Sequence, residues 1–163
     1  MARKGSRGVR RRGARLAAVQ AMYQMEIAGK SSAEAIEDFR LRRLNDTVDG
    51  GDGITPENVD DELFVGLVDG VSASVSALDA QIDQAISKER SIENVEVLLR
   101  LILRAGAYEI SNRPDIDAAL SINEYVAVAE AFFGGTEPRF VNGVLDRLAQ
   151  ELTPTKAPSD VQE

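Results

Sequence analysis

Residues 121–148, SINEYVAVAEAFFGGTEPRFVNGVLDRL, carry apolar side chains three and four positions apart on both sides of Gly134 and Gly135. That period lines one face of a helix and cannot line one face of a strand, so the segment reads as two amphipathic helices about a Gly-rich turn. Residues 7–24, RGVRRRGARLAAVQAMYQ, run an arginine cluster into a third stripe of the same kind. The pairing predicts a compact helical body with one cationic face turned toward a polyanion, RNA being the ligand class that fits best.

The helical period recurs along the chain. A first helix is expected from about Val9 or Ala14, with Leu16, Val19, Met22, Tyr23 and Ile27 on its apolar stripe and Gly29 ending it. Ser31 and Glu34 have the spacing of a capping box, in which each side chain satisfies the other's backbone N–H, and open a second helix with Ile36, Phe39 and Leu44 partly inward. Residues 46–56, DTVDGGDGITP, read as a solvated loop that lacks the full calcium-loop series and its closing Glu. One long helix is expected over residues 59–87, with Gly66 and Gly70 marking close contacts or a bend. Another covers residues 94–112 and is stopped by Pro114.

Ser121 and Glu124 read as a second capping box starting a helix to Phe133. The last helix begins near Thr136, tolerates Pro138 in its first turn, and presents Val141, Val144, Leu145, Leu148 and Leu152 inward. The fold class is therefore all-α, with six or seven helices. Residues 1–10 are expected to be a basic mobile N-terminus, 11–152 the helical domain and 153–163 a disordered tail.

Composition agrees: 21 alanines, no Trp and 5% aromatic residues suit helices that approach closely through small side chains. With neither Cys nor His, thiolate nucleophiles, imidazole bases and nearly all zinc or copper sites are excluded. No catalytic residue, metal or cofactor is expected. The absence of Cys fits a reducing, cytoplasmic setting, and no run of eighteen apolar residues suggests a membrane span.

Charge is divided unevenly. Residues 1–25 hold seven Arg or Lys and no acid, whereas the rest hold twelve bases against twenty-seven acids. A chain of net charge −8 repels nucleic acid on average, so any binding must be local to the basic segment. Arg7, Arg10, Arg11, Arg12 and Arg15 are the candidates, because guanidinium groups take phosphate in a bidentate fork; a solubilising tail has the same composition. Arg139 and Phe140 follow the Gly-Gly turn, where a base could stack on the ring beside a cation and helix-start amides. A core position for Phe140 fits the spacing as well. Arg104 and Glu124 are charges in apolar helices, readable as a buried pair or as surface charges.

Four segments taken together, RRGARLAAVQAMYQ, LRAGAYEI, SINEYVAVAEAFFG and RFVNGVLDRL, resemble the NusB family of transcription antitermination factors. The resemblance implies two packed helical subdomains, no enzymatic activity, and binding of boxA-type single-stranded RNA of ribosomal RNA leaders. It further implies ribosomal protein NusE, elongating RNA polymerase and other Nus factors as partners, with a homodimer in some members. By position it assigns RNA contact to Arg11, Arg12, Arg15, Arg139 and Phe140, and the NusE-facing surface to Tyr23, Glu96 and Arg100. Similar domains lead ribosomal RNA cytosine methyltransferases, which gives an alternative reading as an RNA-binding or protein-interaction module. The chain departs from the family pattern in a shorter segment between Gly134 and Phe140 containing Pro138, in Leu99 where members often carry an acid, and in a longer acidic Gly loop within residues 30–59.

Overall fold

The computed structural model describes residues 5–48, 58–88 and 90–152, with backbone only for 43–48. Among these, seven α-helices and no strand are found: α1 Arg7–Ala28, α2 Ser32–Val48, α3 Asp61–Ala73, α4 Val75–Ala85, α5 Val97–Asn112, α6 Ala118–Phe132 and α7 Glu137–Leu152. The chain divides into two compact units, residues 1–75 and 76–163. No single described helix is long and apolar enough to cross a membrane.

In the first unit, α1 packs against α2 and α3. It starts at Arg7, earlier than the sequence pattern suggests, because Ser6 caps it by accepting from the Val9 N–H and the Gly5 N–H donates to Asn58 Oδ1 at 3.1 Å. The expectation of mobility for residues 1–4 lies outside the described residues, as does that of disorder for 153–163. The buried side of α1 is mostly alanine: Ala14, Ala17, Ala18 and Ala21 join Val19 and Met22, while Tyr23 and Ile27 of the expected stripe are exposed. Small residues bring backbones together here, and a Cβ on Gly13 would stand 2.5 Å from the carbonyl oxygen of Asn58. Gly29, at φ +69°, ends α1 in the left-handed conformation that glycine adopts without strain.

The Ser31–Glu34 capping box forms in both directions, at 2.9 and 3.1 Å, and α2 docks on α3 through Phe39 and Phe64, whose centroids are 4.8 Å apart. Residues 46–48, expected in a loop, complete the last turn of α2; the remainder of that loop lies outside the described residues. The single helix expected over 59–87 is two helices broken at Ser74, whose N–H bonds the Val71 carbonyl rather than continuing the helical ladder. Just before the break the Ser72 hydroxyl donates to the Val68 carbonyl at 2.7 Å, a back-bond of the kind that bends helices, and neither Gly66 nor Gly70 marks the break.

In the second unit α5 is the central element, contacting α6 and α7 and burying Leu99, Leu101, Ile102, Leu103, Ala105, Gly106 and Ala107. Leu99 is 4% exposed, so it supplies no apolar surface for self-association. α5 and α7 pack closely at Gly106, where a Cβ would meet Leu145 Cδ1 at 2.6 Å. Arg104 binds Asp79 of α4 through two hydrogen bonds of 2.8 and 2.9 Å; its partner is thus Asp79, not the Glu124 weighed from sequence. The expected cap at Ser121 is also displaced. Asp117 caps α6 by accepting from the Ala119 N–H, and Ser121 is fully buried, donating to Glu109 Oε2 at 2.6 Å.

Candidate nucleic-acid interface

In the first unit the cationic element is the start of α1. Its first turn contains no acid, although the partial positive charge of a helix N-terminus favours carboxylates there and disfavours guanidinium groups. The arginines are therefore not placed for helix stability. Arg7 and Arg12 are exposed and Arg10 and Arg11 half-buried. Arg10 Nη2 donates to the Val59 carbonyl at 3.4 Å, and Arg11 Nε lies 3.7 Å from Asp60 Oδ2. These tethers hold two of the side chains along the helix while leaving the cluster strongly cationic. Arg15 is different. It is only 2% exposed, so its guanidinium is enclosed among packed side chains and is not presented to a ligand in this conformation.

In the second unit the candidate element is the turn from α6 into α7. Phe133 closes α6, Gly134 and Gly135 turn the chain, and the Phe140 N–H donates to the Thr136 carbonyl at 3.1 Å as α7 begins. Val141, Val144, Leu145 and Leu148 fill the buried stripe of α7. One position before that stripe, Phe140 is half-buried at its edge, and Arg139 is exposed. A recess of about 510 Å³ beside the turn is lined by Val126, Glu130, Phe133, Pro138, Arg139 and Asn142 among others. Glu137 already places a carboxylate in the first turn of α7, so helix-start amides alone are a poor phosphate site and Arg139 supplies the positive charge.

Sequence reasoning missed two groups here. The Arg90 guanidinium lies over the Phe140 ring, Cζ to centroid 4.5 Å, and with Phe140 and Arg147 it lines a second, separate recess. Arg147 was findable, since it lies seven residues after Phe140 and so on the same helical face. Arg90 was not, because it sits in an irregular connection where no period operates. Of the other expected residues, Tyr23 is 37% exposed despite its place on the apolar stripe. Glu96 is exposed and caps α5, accepting from the Leu98 N–H at 2.7 Å, and the half-buried Arg100 sits one turn further on. Among the described residues no group of three acids is placed to hold a metal ion.

These features meet consistent relatives. The sequence profile of the NusB family matches residues 12–150. The transcription antitermination protein NusB of Bartonella quintana is 40% identical over 143 residues, which cover 88% of this chain and 90% of that protein. That of Maricaulis maris is also 40% identical, over 146 residues and 88% of each chain. Among solved structures, a T. maritima NusB superposes with a TM-score of 0.69 at 26% identity, covering 88% of this chain and 92% of that one. A second, described as the antitermination factors NusB and NusE in complex with dsRNA, shares the fold with a TM-score of 0.68 at 20% identity over 86% and 96% of the two chains. Profile, curated relatives and fold agree, and the chain belongs to the NusB family of transcription antitermination proteins.

Proposed function

We propose that this chain is an RNA-binding, non-enzymatic transcription antitermination factor that takes boxA-type single-stranded RNA of ribosomal RNA leaders together with NusE and restrains premature termination by RNA polymerase. The observation that carries this reading is the arginine cluster at the start of α1, set against the helix dipole with no acid in the first turn on a chain of net charge −8. A solubilising role would be served by any charge anywhere on the surface; cations concentrated at a site where they cost helix stability support a ligand role. The solved complex of a NusB with NusE and dsRNA supports the partner classes.

In this reading Arg7, Arg10, Arg11 and Arg12 neutralise phosphates and release condensed counterions. Arg139 and Phe140 add a cation beside an aromatic face. Tyr23, Glu96 and Arg100 serve the NusE-facing surface. Arg15, being enclosed, supports α1 from beneath.

Fluorescence anisotropy with a labelled boxA-type RNA tests the reading. Affinity is expected to rise when NusE is added and to fall steeply between low and physiological salt. Equal affinity for a scrambled RNA, with or without NusE, would overturn it.

A further inference from the structure

Within the second unit a recess of about 300 Å³ is lined by Ala85, Ile86, Arg90, Phe140, Gly143 and Arg147 among others. Its floor is apolar, Ala85 and Ile86 being buried, and its rim is cationic, Arg90 and Arg147 being exposed. Neither guanidinium has an ion pair among the described residues. Instead Arg90 rests over the Phe140 ring at 4.5 Å.

We propose that this recess is a single-nucleotide subsite, in which a base stacks on the outer face of the Arg90–Phe140 pair and Arg147 neutralises the adjoining phosphate. The inference rests on the RNA reading above and names two residues that reading does not include. Three physical points support it. A guanidinium held over a ring has already lost part of its side-chain freedom, so stacking a base upon it costs less further ordering. The planar cation accepts any base, since every base has a π-face. Cations without an ion pair among the described residues, set around an aromatic on so acidic a chain, are complementary to a nucleotide, and Arg147 lies two helical turns from Phe140 on the same face of α7.

The test is anisotropy with the full chain and a short labelled single-stranded RNA of boxA type, across a salt series, with circular dichroism confirming that each variant is folded. Arg90→Ala is expected to weaken binding roughly tenfold, the scale of one lost base stack. Arg90→Lys should recover little of this although the charge is kept, because an ammonium offers no plane. Combining Arg90→Ala with Phe140→Leu should cost less than the product of the separate losses. Arg147→Ala should reduce the salt slope by about 0.7. Unchanged or tighter binding by Arg90→Ala overturns the subsite, the latter showing that Arg90 shields the ring instead of extending it; multiplicative losses or an unchanged slope for Arg147→Ala overturn it too. If wild type binds RNA and Arg12→Ala weakens it while Arg90→Ala does nothing, the subsite alone fails. If wild type does not bind RNA, both readings fall.

Discussion

Tyr125 donates its hydroxyl to Glu109 Oε1 at 2.9 Å, and both side chains are fully buried. Ser121 donates to the other carboxylate oxygen at 2.6 Å. A carboxylate taken out of water demands donors, and these two hydroxyls, one helical turn apart on α6, fix that helix in register on α5. Tyr125→Phe should therefore cost about 1–3 kcal/mol, the scale of losing one buried hydrogen bond to an acidic group. Urea denaturation measures it. Because both hydroxyls serve one carboxylate, the loss in Tyr125→Phe combined with Ser121→Ala should depart from the sum of the separate losses.

The clamp between α4 and α5 makes a second prediction. Arg104 and Asp79 are joined by a fork of two hydrogen bonds, with side chains 11% and 25% exposed. Asp79→Asn keeps the shape and removes the charge, leaving a half-enclosed guanidinium with one acceptor oxygen. Because water still reaches Asp79, the loss should stay below that of a fully buried pair, about 1–2 kcal/mol. A midpoint unchanged in urea would show that solvent replaces the carboxylate completely.

Glycines in two helices should respond oppositely to alanine. At Gly106 the new methyl would lie 2.6 Å from Leu145 Cδ1, and Leu145 is itself fully buried. Gly106→Ala should destabilise by about 1–3 kcal/mol through overpacking, partly offset by better helix propensity. Nothing lies within 4 Å of a Cβ at Gly66, so Gly66→Ala should stabilise α3 by about 0.5–1 kcal/mol. Thermal or urea unfolding of the two variants decides both signs.

Two arginines three positions apart on α1 should separate binding from stability. Arg12 is exposed and Arg15 is 2% exposed. Arg12→Ala should leave the unfolding midpoint nearly unchanged and lower the salt slope of RNA binding by about 0.7. Arg15→Ala should act mainly on stability, by a few kcal/mol, since a long side chain is removed from a packed site. A full-size effect of Arg15→Ala on RNA affinity with stability intact would mean that Arg15 leaves its enclosure when RNA binds.

The helical fold was legible because period is a local property: apolar residues three and four apart declare a buried helix face wherever that face packs. The Ser31–Glu34 cap was legible for the same reason, its two groups being joined through one helical turn. The Ser121–Glu124 pair has identical spacing and failed as a cap, because Asp117 caps α6 first and Glu109, twelve residues before Ser121, claims the hydroxyl. Likewise, three- and four-residue spacing placed Tyr23 and Ile27 inward, whereas α1 turns Ala14, Ala17, Ala18 and Ala21 to the core.

By itself, then, the sequence determined the all-helical class, the absence of thiol and imidazole chemistry, and the concentration of cations near residue 10. Tertiary structure alone decided which of those cations meet solvent, which carboxylate receives Arg104, and that Arg90 lies on Phe140. The reason is physical. Helix formation is settled by neighbours within a turn, but exposure and charge pairing depend on groups tens of residues away, whose approach is set by how closely small side chains let the helices pack.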